Sequence, residues 1–236
     1  NAVVGSGYER LNVLKRYLNL GQVNDSLAQE NAKLKTTLLQ LQNIDTTSTV
    51  VVKDSLNQQQ YTLFSAKVIK NSITLRNNVI TINKGSLQGV TQGMAVVSPS
   101  VGVVGFVMDV SENLATVRSL LNSGTSISVS PKKYNAFGSL VWGDGNFDIT
   151  KAYVKEIPNH YKVNKGDTIV TSGAGGFPKG ILVGKVSRTE LSTGDSFMSL
   201  EISLFNDFSN LQYVYLVKNR MTQEQNALET LTKDEQ

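Results

Sequence analysis

The spacing of apolar residues changes once along this chain, and that change limits the folds open to it. Ahead of about residue 45 the spacing is helical. Taking Val13 as a d position of a heptad puts Val13, Tyr17, Leu20, Asn24, Leu27, Asn31, Leu34, Leu38 and Leu41 on one seam, at alternating steps of four and three. A seam kept over about four heptads favours a coiled coil over an ordinary surface helix. Leucine fills most d positions, while the a positions hold Tyr17, Asn24, Asn31 and Leu38. An a-position asparagine is costly in a helix–helix core unless it meets its counterpart; it then fixes register and favours a parallel pair. The competing reading is an amphipathic helix lying on the protein's own body, with Asn24 and Asn31 at its wet edge. Dimerisation through the seam is the expectation. Gly21 weakens the helix by about 1 kcal/mol relative to alanine, so its N-terminal half should be the looser one.

After a polar, threonine-rich exit over 45–49 and an ambiguous stretch over 50–60, the apolar period falls to two. Candidate strands are 63–70, 78–83, 94–98, 101–110, 115–121, 126–130, 136–142, 168–171, 181–187, 197–204 and 212–217. Met198, Leu200, Ile202 and Leu204 alternate with Ser199, Glu201 and Ser203, and Ile127 and Val129 alternate with serines. That is the pattern of strands half buried in antiparallel sheets. Asp144–Gly145 after Trp142 is a tight-turn signal, since glycine tolerates the positive φ such turns need. Many short strands with no helix between them indicate barrels or sandwiches, not a doubly wound sheet. Residues 221–236 are polar and acidic near their end, a pattern of fraying or disorder.

Composition excludes several functions. The chain of 236 residues has no cysteine and one histidine. A disulfide framework, a Cys-ligated zinc site and a thiol nucleophile are therefore ruled out together. A net charge of +4 is only mildly basic. Lys132, Lys133 and Arg188 are scattered and form no stripe beside stacking aromatics, so no nucleic-acid partner is expected. No apolar run approaches the ~20 residues that span a bilayer.

Catalysis finds little footing. The histidine, His160, could join Ser172 and an acid in a triad, but Thr171–Ser172–Gly173 lacks the nucleophile-elbow spacing. Gly173-Ala174-Gly175-Gly176 resembles a phosphate loop in composition, yet Phe177, Pro178 and a strand follow where a helix should open. Asp144 to Asp148 lacks the twelve-residue calcium-loop pattern. No catalytic residue, metal site or cofactor is expected. Exposed apolar groups are the better candidates for function. Tyr134, Phe137 and Phe177 are candidate partner-binding residues, the alternative being that each caps a barrel end as ordinary core.

Three stretches of the β region carry a family resemblance: Ile82-Asn83-Lys84-Gly85-Ser86-Leu87-Gln88-Gly89-Val90 leading to Gly93-Met94; Gly102-Val103-Val104-Gly105-Phe106-Val107; and Gly166-Asp167-Thr168-Ile169-Val170-Thr171-Ser172-Gly173 leading to Phe177-Pro178-Lys179-Gly180-Ile181-Leu182-Val183-Gly184. In order and spacing, with the coiled coil before them, they resemble the MreC family of bacterial rod shape-determining proteins. The resemblance implies a mainly β fold, with an N-terminal coiled-coil helix and two small β-barrel-like domains, the second inserted in the first. Mapped here, it implies a helix over 7–45, a linker over 46–60, a first domain from 61–111 with 197–219, a second over 112–196, and a flexible tail over 220–236. It also implies a periplasmic scaffold of cell-wall elongation that is not an enzyme. The scaffold would be anchored in the inner membrane by a helix upstream of Asn1. Its implied partners are a second copy of itself, a class B penicillin-binding protein and MreD, with self-association into filaments. Two other functions compete: an envelope hydrolase using Ser172 and His160, and a periplasmic adaptor of an efflux or secretion complex. Adaptors usually carry a helical hairpin between β segments, and only one helix is visible here.

Overall fold

Strands with alternating faces and closely spaced turns can satisfy all their backbone hydrogen bonds only by closing on themselves. This chain closes twice. The computed structural model describes residues 20–38, 61–100, 102–144, 147–191 and 196–220. Helix α1 covers residues 20–38. Among the described residues twelve strands follow: β1 (Tyr61–Asn71), β2 (Asn77–Ile82), β3 (Ala95–Val97), β4 (Val103–Val110), β5 (Ala115–Asn122), β6 (Ser126–Pro131), β7 (Gly138–Val141), β8 (Lys151–Pro158), β9 (Thr168–Thr171), β10 (Leu182–Glu190), β11 (Phe197–Leu204) and β12 (Tyr213–Asn219). The first barrel closes in the order β1-β12-β3-β4-β5-β2, and the second in the order β10-β11-β8-β7-β6-β9. All the strand pairs are antiparallel. The fold is mainly β, with the second barrel inserted between β5 and β12 of the first.

The alternation in β11 does what its pattern requires. Met198, Leu200 and Ile202 are buried in the second barrel, while Ser199 and Glu201 stay partly exposed. Register shifts interrupt the ladders between Val68 and Lys70, Val107 and Asp109, Val186 and Arg188, and Met198 and Leu200. Such bulges sharpen the local twist, which small barrels need to close.

The expected domain boundaries need correction. Residues 112–122 belong to the first barrel, because β5 pairs with both β4 and β2. Ser111 to Leu114 form the hairpin turn between β4 and β5. A polar turn of that kind reads the same in sequence whether it ends a hairpin or a domain. Strand β11 stays in the second barrel, paired with β10 and β8. Only β12 returns, completing the first barrel against β1 and β3. Strand β8 lay outside the sequence-derived set altogether. The expected linker, most of the expected tail, Val101 and the glycine of the Asp144–Gly145 turn lie outside the described residues.

Candidate functional site

Helix α1 has two working faces. One sits on the first barrel: Ala28, Ala32 and Thr36, each four residues from the next, are buried there. Small side chains at that spacing let the helix axis come close to the sheet. Thr36 ties the seat to the strand, its Oγ1 accepting from the Leu63 N–H at 3.0 Å and donating to the Ala32 carbonyl at 2.9 Å. Nearer the start of the helix, the Tyr213 hydroxyl donates to Asp25 Oδ1 at 2.9 Å. Burial, and then this bond, push the Tyr213 hydroxyl above the ordinary tyrosine range. Lys35 lays its ammonium 5.3 Å from the Tyr215 ring centroid, within cation–π reach. Burial lowers the Lys35 pKa.

The other face carries the leucine seam. Leu20, Leu27, Leu34 and Leu38 are 59%, 50%, 57% and 55% exposed, and Asn24 and Asn31 lie exposed among them. At 100° per residue this seam sits roughly 120° around the helix from the Ala28–Ala32–Thr36 face. The helix therefore lies along its own barrel without using the heptad seam to do so. Val13, Tyr17 and Leu41 lie outside the described residues.

The barrels meet through a second set of contacts. Phe177, carried on the glycine-rich connection from β9 to β10, is fully buried and stands edge-on to Phe106 of the first barrel, ring centroids 4.8 Å apart. As a candidate for partner binding it is corrected: a ring sealed between two barrels offers nothing to a third body. Between β11 and β12, Asn206 accepts from the Ser98 hydroxyl at 2.7 Å and donates to the Val103 carbonyl at 2.6 Å. Gly102 must be small here, since a Cβ on it would lie 2.2 Å from Asn206 Oδ1. Of the other two candidates, Phe137 is 58% exposed. Tyr134 is half-buried against Tyr161, and its hydroxyl donates to the Lys162 carbonyl.

The residues of the triad reading are engaged elsewhere. The Ser172 hydroxyl pairs with the Ser128 hydroxyl at 2.8 Å and carbonyl at 3.2 Å, while the His160 ring lies against Tyr161 at 4.1 Å. The glycines after Ser172 lead to Phe177 and into β10, and no helix opens there. Among the described residues no cluster of three His, Asp or Glu side chains is placed to hold a metal. No described helix is long and apolar enough to cross a membrane. The Ala28–Ala32–Thr36 face escaped the sequence reading, because alanine adds little to a hydrophobic pattern; its spacing of four was the available signal.

A helix seated on the first of two closed barrels by its small residues, with its leucines left exposed, defines a class of mainly β, two-barrel proteins with a helix ahead of the barrels. The family description "Rod shape-determining protein MreC, barrel core" matches residues 68–218. The chain belongs to the MreC family. It is 33% identical over 196 residues to the cell shape-determining protein MreC of Listeria monocytogenes, an alignment covering 80% of this chain and 65% of that protein. The chain thus spans just under two thirds of that relative's length. A solved structure of Listeria MreC superposes with a TM-score of 0.61 at 28% identity, covering 89% of this chain and 96% of the other. The major periplasmic domain of a cell shape-determining filament MreC superposes with a TM-score of 0.58 at 25% identity, covering 67% and 96%. The Helicobacter pylori complex of Penicillin-Binding Protein (PBP2) and MreC shares the fold at a TM-score of 0.55 and 19% identity, covering 68% and 99%.

Proposed function

We propose that this chain is the periplasmic part of a non-catalytic scaffold in cell-wall elongation. It pairs with a second copy along the leucine seam of α1 and positions or activates a class B penicillin-binding protein. A transmembrane helix preceding this sequence anchors it, with MreD as its partner there, and paired copies associate further into filaments. The observation that carries the reading is the exposed seam of Leu20, Leu27, Leu34 and Leu38 on a helix already fixed to its own barrel. Apolar stripes of that length are normally covered by a partner, and the interleaved Asn24 and Asn31 suit a parallel pair. The penicillin-binding partner is supported by the fold shared with the Helicobacter pylori complex, and the compartment by the periplasmic MreC domain.

One double variant tests the reading. Leu27→Glu with Leu34→Glu places charge in the seam and leaves the barrels untouched. The unaltered chain should sediment as a dimer at high micromolar concentration and the variant as a monomer. Cells carrying the variant at normal abundance should lose rod shape. Unchanged rod shape and wall insertion would sink the proposal.

A further inference from the structure

Beside its seat, helix α1 leaves a cleft of about 430 Å³ against the first barrel. Gln29 and Lys33 line it from the helix, Thr62 and Phe64 from β1, and Lys84 and Gln88 from the turn that follows β2. Its floor is apolar where Ala32 and Leu63 are buried. Among the described residues neither lysine is in an ion pair, and Glu30, three positions before Lys33 on the helix, makes none with it. Two uncompensated cations at one concavity make a local positive potential that attracts an anionic group.

Both walls are held in place. Thr36 fixes the helix to Leu63. The Gly85 N–H donates to Gln88 Oε1 at 2.8 Å, and a Cβ on Gly85 would lie 2.3 Å from the Ser111 carbonyl oxygen. The turn carrying Lys84 is thus pressed onto the turn between β4 and β5. A preformed site gives up little freedom on binding.

Shape and position select the occupant. Lining residues 62–65 span about 13 Å as a strand, the length of about four residues of an extended peptide. The amides and hydroxyl of Gln29, Gln88 and Thr62 beside an apolar floor match the mixed polar and apolar groups of such a chain. A free anion would leave the floor uncovered, and a flat lipid surface does not enter between a helix and a turn. Gln29 and Lys33 lie roughly 150° around the helix from the leucine seam, so a copy paired on that seam does not reach them.

We propose that this cleft is the docking site for an acidic segment of a partner protein, bound in extended form. Its carboxylates meet Lys33 and Lys84, and an apolar side chain between them covers Phe64 above the Leu63 floor. Pairing along the seam leaves the site unchanged.

Selection from a display library of random eight-residue peptides on the full chain tests this. The enriched peptides should combine acidic with apolar residues, and their affinity, read by fluorescence anisotropy, should fall as salt is raised. Lys33→Glu with Lys84→Glu should weaken them at least ~10-fold, and the same exchange at Lys179 and Lys185 on the second barrel should not. Gln29→Trp, which fills the cleft and keeps both charges, should weaken them as well. No enrichment, or peptides indifferent to the Lys33 and Lys84 exchange, overturns the proposal. So does binding of inorganic phosphate or phosphatidylglycerol vesicles in place of peptides, or a change of sedimenting mass in the Lys33 and Lys84 variant, which would assign the cleft to a free anion, a lipid or a second copy. The Leu27→Glu, Leu34→Glu chain should bind the same peptides unchanged, so failure of seam pairing and failure of this site are distinguishable. Loss of binding in that chain would assign the peptides to the seam and overturn the cleft.

Discussion

Thr36 shows how much can depend on one hydroxyl. Its oxygen is the acceptor for the buried Leu63 N–H, at the point where the helix crosses β1. Thr36→Val keeps the volume and removes that acceptor. A buried N–H left unpaired costs about 1–3 kcal/mol. The Leu63 amide should therefore lose its protection against hydrogen exchange in Thr36→Val and keep it in Thr36→Ser. Asp167 plays a comparable part in the second barrel. Its Oδ2 accepts from the Asn164 N–H at 3.0 Å and its Oδ1 from the Lys133 ammonium at 2.6 Å. These contacts hold its carboxyl below the ordinary range, the backbone bond from Asn164 first among them. Asp148 and Glu201 are lowered as well, chiefly by hydroxyl donation from Thr150 and Ser187. Groups that bind protons less readily when folded contribute stability above their unfolded pKa, near 4 for carboxylates. That contribution is lost as pH falls toward the folded values. Melting temperatures should hold from pH 7 to about 5 and drop below ~4. Asp167→Asn should melt lower than the parent at pH 7 and show a shallower acid decline. An equally steep decline would remove Asp167 from the account.

At the scale of elements, β8 explains what a two-residue period conceals. Ala152 and Val154 point inward, but the next buried residue is Ile157, three positions on. Between them Glu156 adopts a left-handed φ of 65°. It forms a bulge where Met198 pairs with Ile157 while Leu200 pairs with Val154. The alternation slips by one residue, and Pro158 closes the strand before a regular pattern can build up. A non-glycine residue held there costs roughly 1–2 kcal/mol, most for a β-branched side chain. Urea unfolding should find Glu156→Gly more stable than Glu156→Val by at least ~1 kcal/mol; equal stability would mean that the bulge has relaxed. Strands without such slips were readable from sequence alone, β11 most plainly. The leucines of α1 were readable for the same reason, since large apolar residues at heptad spacing make a strong signal. The seat beneath them was hidden because alanine and threonine carry so little of it.

For the molecule as a whole, the joint between barrels brings together residues far apart in the chain. Phe177 was legible as an aromatic in a glycine-rich loop, which reads as surface until a second barrel is set against it. Its partner Phe106 lies 71 positions earlier in the chain, and no local pattern links them. Phe177→Ala should cost about 3–5 kcal/mol, as truncating a buried aromatic does. Asn206→Ala should cost about 1–3 kcal/mol by leaving the Val103 carbonyl and Ser98 hydroxyl short of a partner. Chemical denaturation measures both, and a loss below ~1 kcal/mol for Phe177→Ala would show the joint to be slack.

The return of β12 also sets a timetable. Every strand of the second barrel lies between Ser126 and Leu204, so that barrel can close as soon as its own stretch of chain is available. The first barrel cannot. Tyr61 waits for Asn219, its partner in the ladder, across the whole of the inserted barrel. Contacts so distant in sequence form slowly because the intervening loop must first be closed. During synthesis the inserted barrel is thus ready first, and the barrel that seats the helix is completed only by a strand that emerges after it.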